Sequence, residues 1–368
     1  MSTPGTTLVV TNDFGPRIGG IESFVEDVCR FLDHDVVVLT CRVPGSEAYD
    51  RAAGFPIYRR DPVLLPTPGV AADAAGLLRR YGAERVVFGA AAPLSLLAPS
   101  LRAAGATKII GISHGHELWW GRLPPSRALL RRMVAGLDRL TVISEFTGAG
   151  LRAALPPDLG RKLIMMPPPV DPAVFHPGDR EPDGVVRCVA AARFVARKGI
   201  DVLLRAWQGV QDELGDSAEL IIVGDGPQRR RLHALAAELK LTGTVRWAGP
   251  LSRPQVAEVL RGADLFALPV RTRLAGLEPE GLGLVFLEAA ATGLPILVGD
   301  SGGAPETVLD GRSGYLVDPL DHDQLAARLL ELIKDPALRG RLGEAGRAHA
   351  LAGFGADRVR ATLRELIT

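Results

Sequence analysis

Glu280 and Glu288 stand eight residues apart, with Gly281-Leu282-Gly283 between them. After Gly283 the run LVFLEAAA begins at helical spacing and carries Glu288. Gly293-Leu294-Pro295 stops it, a short apolar strand follows at Ile296 to Val298, and Gly302-Gly303 turns the chain before Glu306. This order is loop, helix, strand, loop, with carboxylates at the loop ends. Glycines ahead of a helix let backbone N–H groups approach an anion at the helix start. The carboxylates taken alone also fit a structural role, as caps or dipole partners.

Three further places could do chemistry. Arg193 and Lys198 lie just past an apolar strand and just before a helix, where two cations suit a diphosphate or form a solvated basic turn. Gly19-Gly20 lies between the strand Leu8-Val9-Val10 and a helix marked by Ile21, Phe24, Val25, Val28 and Phe31. Backbone can touch a phosphate or sugar there, and a tight turn against the sheet explains the pair as well. His114 follows the strand Lys108 to Ile112 and precedes Gly115, so it belongs to a loop. His116 and Glu117 read as supporting or exposed. His114-x-His116 without a placed third ligand is a thin case for a metal.

The elements around these residues alternate. Strands are expected at Asp35 to Thr40, Pro56 to Tyr58, Glu84 to Phe88 and Asp138 to Ile143, and helices over 70–80, Ala90 to Leu101 and Arg127 to Leu137. Ser144 is expected to cap the next helix. Four prolines within residues 167–172 forbid helix and mark a linker, placing a boundary near 170–182. The second half repeats the pattern, with strands at Val185 to Ala191, Glu219 to Val223, Val245 to Gly249 and Asp264 to Pro269. Helices are expected from Ile200 to Val210, Gln228 to Leu239 and Arg253 to Arg261, and three more over Gln324 to Ile333, 338–350 and Gly355 to Ile367. Such alternation means doubly wound α/β sheets, in which ligands bind beyond the strand C-terminal ends.

At 368 residues two domains are expected, and 47% hydrophobic with 23% charged residues is the balance of a soluble globular chain. A net charge of +1, with a slightly basic first half, excludes a nucleic-acid-binding polycation. Cys29, Cys41 and Cys188 have no metal or redox spacing and read as reduced core thiols of a cytoplasmic protein. No apolar run is long enough to span a membrane, and no signal-peptide pattern precedes the first strand.

Together Gly19-Gly20, His114, VDPAVFHP, Arg193 with Lys198, VGDGP and the Glu280–Glu288 pair resemble the retaining family-4 glycosyltransferases of GT-B fold, over essentially the whole length. FGAAAPLSLLAP, SHGHE, ARFVARKGID and SGGAPETV look like the actinobacterial mannosyltransferases that act on phosphatidylinositol mannosides. The resemblance implies two Rossmann-like domains facing across a cleft. Residues 1–175 would hold the acceptor, completed by a final helix over 352–368, and residues 176–351 the nucleotide sugar. The donor implied is GDP-mannose and the acceptor a glycolipid. No cofactor and no metal are expected, and the setting implied is cytoplasmic, at the inner face of the plasma membrane.

The resemblance also implies roles. Arg193 and Lys198 would neutralise the donor diphosphate. Glu280 would accept from sugar hydroxyls and Glu288 from the ribose diol. Backbone at Gly283, Leu284 and Val285 would touch phosphate or sugar, Gly19 and Gly20 would close over the phosphates, and main chain from Gly249 to Leu251 would read the base. His114 would bind the sugar and stabilise positive charge at its anomeric carbon through the backbone carbonyl. Leu274-Ala275 and Glu278-Pro279 depart from the glycine-rich run the family leads one to expect. Trp119-Trp120 is unusual and fits a lipid surface, a stacked sugar or packing. Arg127, Arg131 and Arg132 with Leu130 are candidates for contact with an anionic membrane. A UDP-sugar with a small-molecule acceptor stays open, as does a nucleotide-sugar-binding protein that has lost catalysis.

Overall fold

Short runs rich in Val, Ile and Leu, each followed by a helical segment, form parallel strands whose faces are both covered. The structure, a computed structural model, describes residues 5–17, 19–32, 35–60, 63–181 and 183–368. Two compact units result, one running up to Pro169 and taking back Asp357–Thr368, the other Val170–Ala356.

In the first unit the strands are β1 (Thr7–Val10), β2 (Val36–Cys41), β3 (Ile57–Arg60), β4 (Arg85–Phe88), β5 (Lys108–Ile112), β6 (Arg139–Val142) and β7 (Leu163–Met165). They pair in the order β3-β2-β1-β4-β5-β6-β7, all parallel. Its helices are α1 (Gly20–Phe31), α2 (Ser46–Ala52), α3 (Pro68–Tyr81), α4 (Ala98–Ala103), α5 (Pro124–Gly136), α6 (Glu145–Ala154) and the short α7 (Pro157–Gly160). Ser144 caps α6 in a capping box with Thr147, as its position predicts.

The second unit holds β8 (Val186–Ala191), β9 (Ala218–Val223), β10 (Val245–Gly249), β11 (Leu265–Leu268), β12 (Ile296–Gly299) and β13 (Gly314–Val317), in the order β10-β9-β8-β11-β12-β13, again parallel. Its helices are α8 (Ile200–Leu214), α9 (Arg229–Glu238), α10 (Arg253–Arg261), α11 (Leu284–Ala291), α12 (His322–Lys334) and α13 (Pro336–Phe354). The final helix α14 (Ala356–Ile367) packs on the first unit, burying Val359 and Leu363 and placing the Arg360 guanidinium 5.0 Å from the Phe31 ring centroid.

Each sheet therefore reverses its winding once, between β1 and β4 in the first unit and between β8 and β11 in the second. Ligands of doubly wound sheets bind outside the strand C-terminal ends at such a switch point. The segment Ala90 to Leu101 differs from expectation. Its helix begins only at Leu94, as a 3-10 turn after Pro93, and continues as α4, because proline lacks the N–H that a helix interior needs.

Candidate active site

Both switch points carry the residues that the sequence singles out. In the second unit β8 leads into Arg193–Lys198, and β11 leads into the long loop that ends at Gly283. Two contacts hold the first of these loops. Gly199 has φ +69°, and a Cβ there would lie 1.9 Å from the Pro269 carbonyl oxygen, so only glycine permits the approach. The Arg271 N–H donates to the Arg197 carbonyl at 2.8 Å, and the Arg271 guanidinium grips Asp201 at 2.9 and 3.0 Å. The VGDGP turn supports the same loop from β9, since the Phe194 N–H donates to the Asp225 carbonyl at 2.9 Å and the Gln228 N–H to the Phe194 carbonyl at 3.0 Å.

Lys198 and Glu280 come together across 82 residues of chain. Lys198 Nζ donates to Glu280 Oε2 at 2.7 Å, and Arg197 Nη1 reaches the same oxygen at 3.1 Å. The Lys198 and Glu280 side chains retain only 12% and 10% of their exposure, so this is an ion pair largely withdrawn from water. The sequence does not single out Arg197; its only sign there is a second cation beside Lys198 in a turn. Arg193 is exposed, and its guanidinium has no ion-pair partner among the described residues.

The backbone of Glu280 is fixed as firmly as its side chain. Its N–H donates to Ser301 Oγ at 3.2 Å, its carbonyl accepts from the Gly303 N–H at 2.9 Å, and Ser301 Oγ lies 2.9 Å from Thr272 Oγ1. Gly283 takes φ +91° as the residue that starts α11, where an added Cβ would meet the Phe286 ring at 2.5 Å. Gly283, Leu284 and Val285 therefore begin that helix half-exposed, while Glu288, one turn inside it, is buried. Arg253 Nε donates to Glu288 Oε1 at 3.0 Å, and its guanidinium lies 5.3 Å from the Phe175 ring centroid. Gly249 has φ +72° and its carbonyl accepts from the Gly224 N–H, which leaves Leu251 half-buried at the mouth of β10.

The segment that departs from the family pattern also departs from ordinary backbone. Leu274, Ala275 and Gly276 take φ of +52°, +50° and +88° in succession. Two residues with a Cβ thus occupy conformations that favour glycine, at a cost of roughly 1–2 kcal/mol each. Leu274 and Leu277 are exposed on this loop, a few residues ahead of Glu280.

In the first unit the loop after β1 is pinned by Arg59, whose side chain is 3% exposed. It grips Asp50 at 2.7 to 3.0 Å and donates to the Cys41 carbonyl at 2.9 Å and the Gly15 carbonyl at 2.6 Å. Asn12 holds the Leu64 backbone from both ends of its amide, at 2.9 and 2.8 Å. Gly19 is extended, and Gly20 opens α1 with nothing within 4 Å of where its Cβ would stand. Neither left-handed backbone nor packing demands glycine at Gly20, so the reading as a tight turn packed against the sheet does not hold there.

His114 lies beyond β5 and donates from Nε2 to the Gly89 carbonyl, just past β4, at 2.6 Å. Its ring sits edge-on to Phe24 of α1, with centroids 5.8 Å apart. Burial holds its pKa below the ordinary 6.5, which keeps the imidazole neutral at pH 7. Glu117 proves to be buried rather than exposed; Ser113 Oγ donates to it at 2.7 Å and in turn accepts from the Gly115 N–H, which fixes the turn carrying His114. His116 is exposed. Among the described residues no group of three or more His, Cys, Asp or Glu side chains could hold a metal ion.

Trp119 and Trp120 part company. Trp120 packs against the core, whereas Trp119 is 59% and Leu123 67% exposed. The expected cluster around Leu130 needs correction. Leu130 is buried on the core face of α5, and Arg127 is half-buried, donating to the Gly121 carbonyl at 2.7 Å. Only Arg131 and Arg132 of that group are exposed, because the core claims the Leu130–Met133–Val134 stripe.

Each sheet thus carries glycine turns at its winding reversal, the second with a buried acid–cation cluster, and comparison with known proteins gives the class of this fold. Residues 18–174 match the family model described as Glycosyltransferase Family 4, and residues 177–349 that of Glycosyl transferases group 1. The fold is that of Thermosynechococcus elongatus sucrose-phosphate synthase (TM-score 0.80, 20% identity, 98% of each chain) and of Anabaena HepE in complex with UDP and glucose (TM-score 0.81, 16% identity, 98% of each chain). The chain belongs to the family-4 glycosyltransferases of GT-B fold. It is 39% identical, over 98% of each chain, to a GDP-mannose-dependent alpha-(1-6)-phosphatidylinositol monomannoside mannosyltransferase of Mycolicibacterium smegmatis. It is 40% identical, over 96% of this chain and 95% of the other, to a monoacylated-substrate counterpart from Corynebacterium glutamicum.

Proposed function

We propose that this chain is a retaining mannosyltransferase that moves mannose from GDP-mannose onto a hydroxyl of a phosphatidylinositol mannoside-type glycolipid. The observation that carries this reading is the likeness to those two mannosyltransferases along nearly the whole chain, joined to the Lys198–Glu280 pair at the switch point. In the reaction the bond from the anomeric carbon to the phosphate oxygen breaks and a bond from that carbon to the acceptor oxygen forms on the same face. The acceptor proton passes to the departing phosphate, so GDP leaves and no protein nucleophile is needed.

Lys198 and Arg193 stabilise the charge that grows on the leaving diphosphate, usually the largest catalytic contribution. The N–H groups of Gly283, Leu284 and Val285 add to it from the start of α11. Glu280 accepts from mannose hydroxyls and Glu288 from the ribose diol. The main chain from Gly249 to Leu251 reads the guanine. Gly19 and Gly20 approach the donor phosphates, and the His114 carbonyl faces the positive charge at the anomeric carbon. No metal takes part in this scheme. Incubation with labelled GDP-mannose, UDP-sugars and a phosphatidylinositol mannoside, with mass spectrometry of the product, tests the reading. A mannose added only from GDP-mannose is expected; absence of both turnover and binding for every nucleotide sugar overturns it.

Gly20→Ala separates the ligand role from the structural one. With open space around the position, alanine is expected to leave folding unharmed or to stabilise it by about 0.4–1 kcal/mol. Donor turnover is nevertheless expected to fall, since the methyl group stands where backbone meets phosphate. A melting curve and initial rates decide it; undiminished turnover removes the assignment.

We also propose that the protein works at the inner face of the plasma membrane, touching it through Trp119 and Leu123 with Arg131 and Arg132 alongside. No helix among the described residues is long and apolar enough to cross a membrane. Basic residues near an anionic surface contribute about 1 kcal/mol each, so replacing both Arg131 and Arg132 by Ser is expected to weaken co-sedimentation with anionic vesicles roughly 30-fold. Trp119→Ser should weaken it as well. Equal binding to neutral and anionic vesicles refutes the proposal.

A further inference from the structure

We propose that Arg197 is a positioning residue for Glu280, holding that carboxylate while Lys198 serves the donor. The inference rests on the mannosyl-transfer reading above. Its basis is that two cations meet a single oxygen. Lys198 Nζ and Arg197 Nη1 both donate to Glu280 Oε2, at 2.7 and 3.1 Å.

A carboxylate this withdrawn from water needs a fixed positive partner, because breaking a buried pair by removing one member is strongly destabilising. Lys198 and Arg197 meet that need together, and the approach of a diphosphate shifts the balance between them. The ammonium is then asked to do two jobs, and the doubly charged phosphate group competes for it. Arg197 resolves the conflict. Its guanidinium offers several donors in a rigid plane and stays charged at every working pH, so it keeps Glu280 in place while Lys198 turns to phosphate.

The backbone supports that division of labour. The Arg197 carbonyl accepts from Arg271 N–H at 2.8 Å, and Arg271 is itself locked on Asp201. Arg197 lies in the short 3-10 turn Ala196–Lys198, which Gly199 closes by its close approach to Pro269. The Arg197 side chain keeps 32% of its exposure, against 12% for Lys198. Arg197 is thus anchored through its main chain, and its guanidinium enters the cluster from the wetter side.

The test compares Arg197→Met and Arg197→Lys with the parent protein in three measurements: a melting curve, the affinity for GDP alone by calorimetry, and the turnover of GDP-mannose. If Arg197 acts through Glu280, Arg197→Met binds GDP as the parent does, because Glu280 faces the sugar and not the nucleotide. Its turnover falls on the order of 10-fold, the rate equivalent of one charge-assisted hydrogen bond. Arg197→Lys restores most of that loss. Parental turnover in Arg197→Met overturns the inference. A fall in GDP affinity matching the fall in turnover also overturns it, since that places Arg197 on the phosphates. A parent protein that neither binds nor turns over any nucleotide sugar overturns the underlying reading instead, and the two failures are distinguishable in the parent measurement alone.

Discussion

Lys198→Met is expected to lower GDP-mannose turnover on the order of 100- to 1,000-fold, the loss typical of removing one preorganised group from a developing charge. Methionine keeps most of the stem and removes the ammonium, so the change isolates charge from packing. Lys198 donates to Glu280 Oε2 at 2.7 Å and is nearly buried. Removing one member of a buried pair ordinarily costs roughly 3–5 kcal/mol. The cost should be smaller here, because Arg197 remains on the same oxygen. Activity and stability are therefore expected to separate: a large fall in initial rate with a modest fall in melting temperature. Near-parental turnover removes Lys198 from the reaction. Collapse of the fold instead shows that Lys198 serves structure first and that Arg197 cannot support Glu280 alone.

The sequence discloses the switch-point loops better than the partners within them. The LVFLEAAA helix is legible because Gly283 opens it and Gly293-Leu294-Pro295 closes it, both backbone effects that act locally. The Ser144 cap is legible for the same reason. Arg197 is different. Its contact with Glu280 spans 83 residues of chain, and nothing local distinguishes it from a solvated arginine. The strand β13 escapes notice because Gly314-Tyr315-Leu316-Val317 is four residues long and begins with glycine. The edge strand β7 at Leu163–Met165 is likewise not read from three residues beside the proline linker, since pairing with β6 decides it. Leu130 sits among exposed arginines in sequence, and only the packing of α5 shows which stripe the core takes.

Leu274 and Ala275 show the two kinds of information meeting. The family resemblance leads one to expect glycine there, and the backbone adopts the left-handed conformations that would reward glycine. The strained loop also exposes two leucines, Leu274 and Leu277, ahead of Glu280. Strain of this kind persists only where the surrounding structure holds it, here by the Arg273–Glu278 backbone pairing.

Gly302→Ala is expected to damage turnover nearly as much as a change at Glu280, although Gly302 carries no side chain to touch a ligand. The position has φ +59°, and an added Cβ would stand 2.1 Å from the Glu280 carbonyl oxygen and 3.0 Å from Pro279 Cβ. Neither neighbour is the flexible end of a side chain, so backbone must move. The Glu280 carbonyl is also the acceptor for the Gly303 N–H at 2.9 Å, and the displacement breaks the turn that holds the acid. Overpacking of this kind costs about 1–3 kcal/mol, and left-handed backbone adds roughly 1–2 kcal/mol for a residue with a Cβ. Gly311 provides the control. It has φ +68° with nothing within 4 Å of its Cβ position, so Gly311→Ala carries the backbone strain without the collision. Gly311→Ala is expected to lower the melting temperature slightly and to leave initial rates intact. Gly302→Ala is expected to lower both, because the carboxylate gripped by Lys198 and Arg197 no longer stands where the sugar hydroxyls need it. Equal losses in the two variants attribute the effect to general destabilisation. A selective loss of turnover in Gly302→Ala traces activity to the placement of the Glu280 backbone, which a substitution at Glu280 itself cannot separate from its charge.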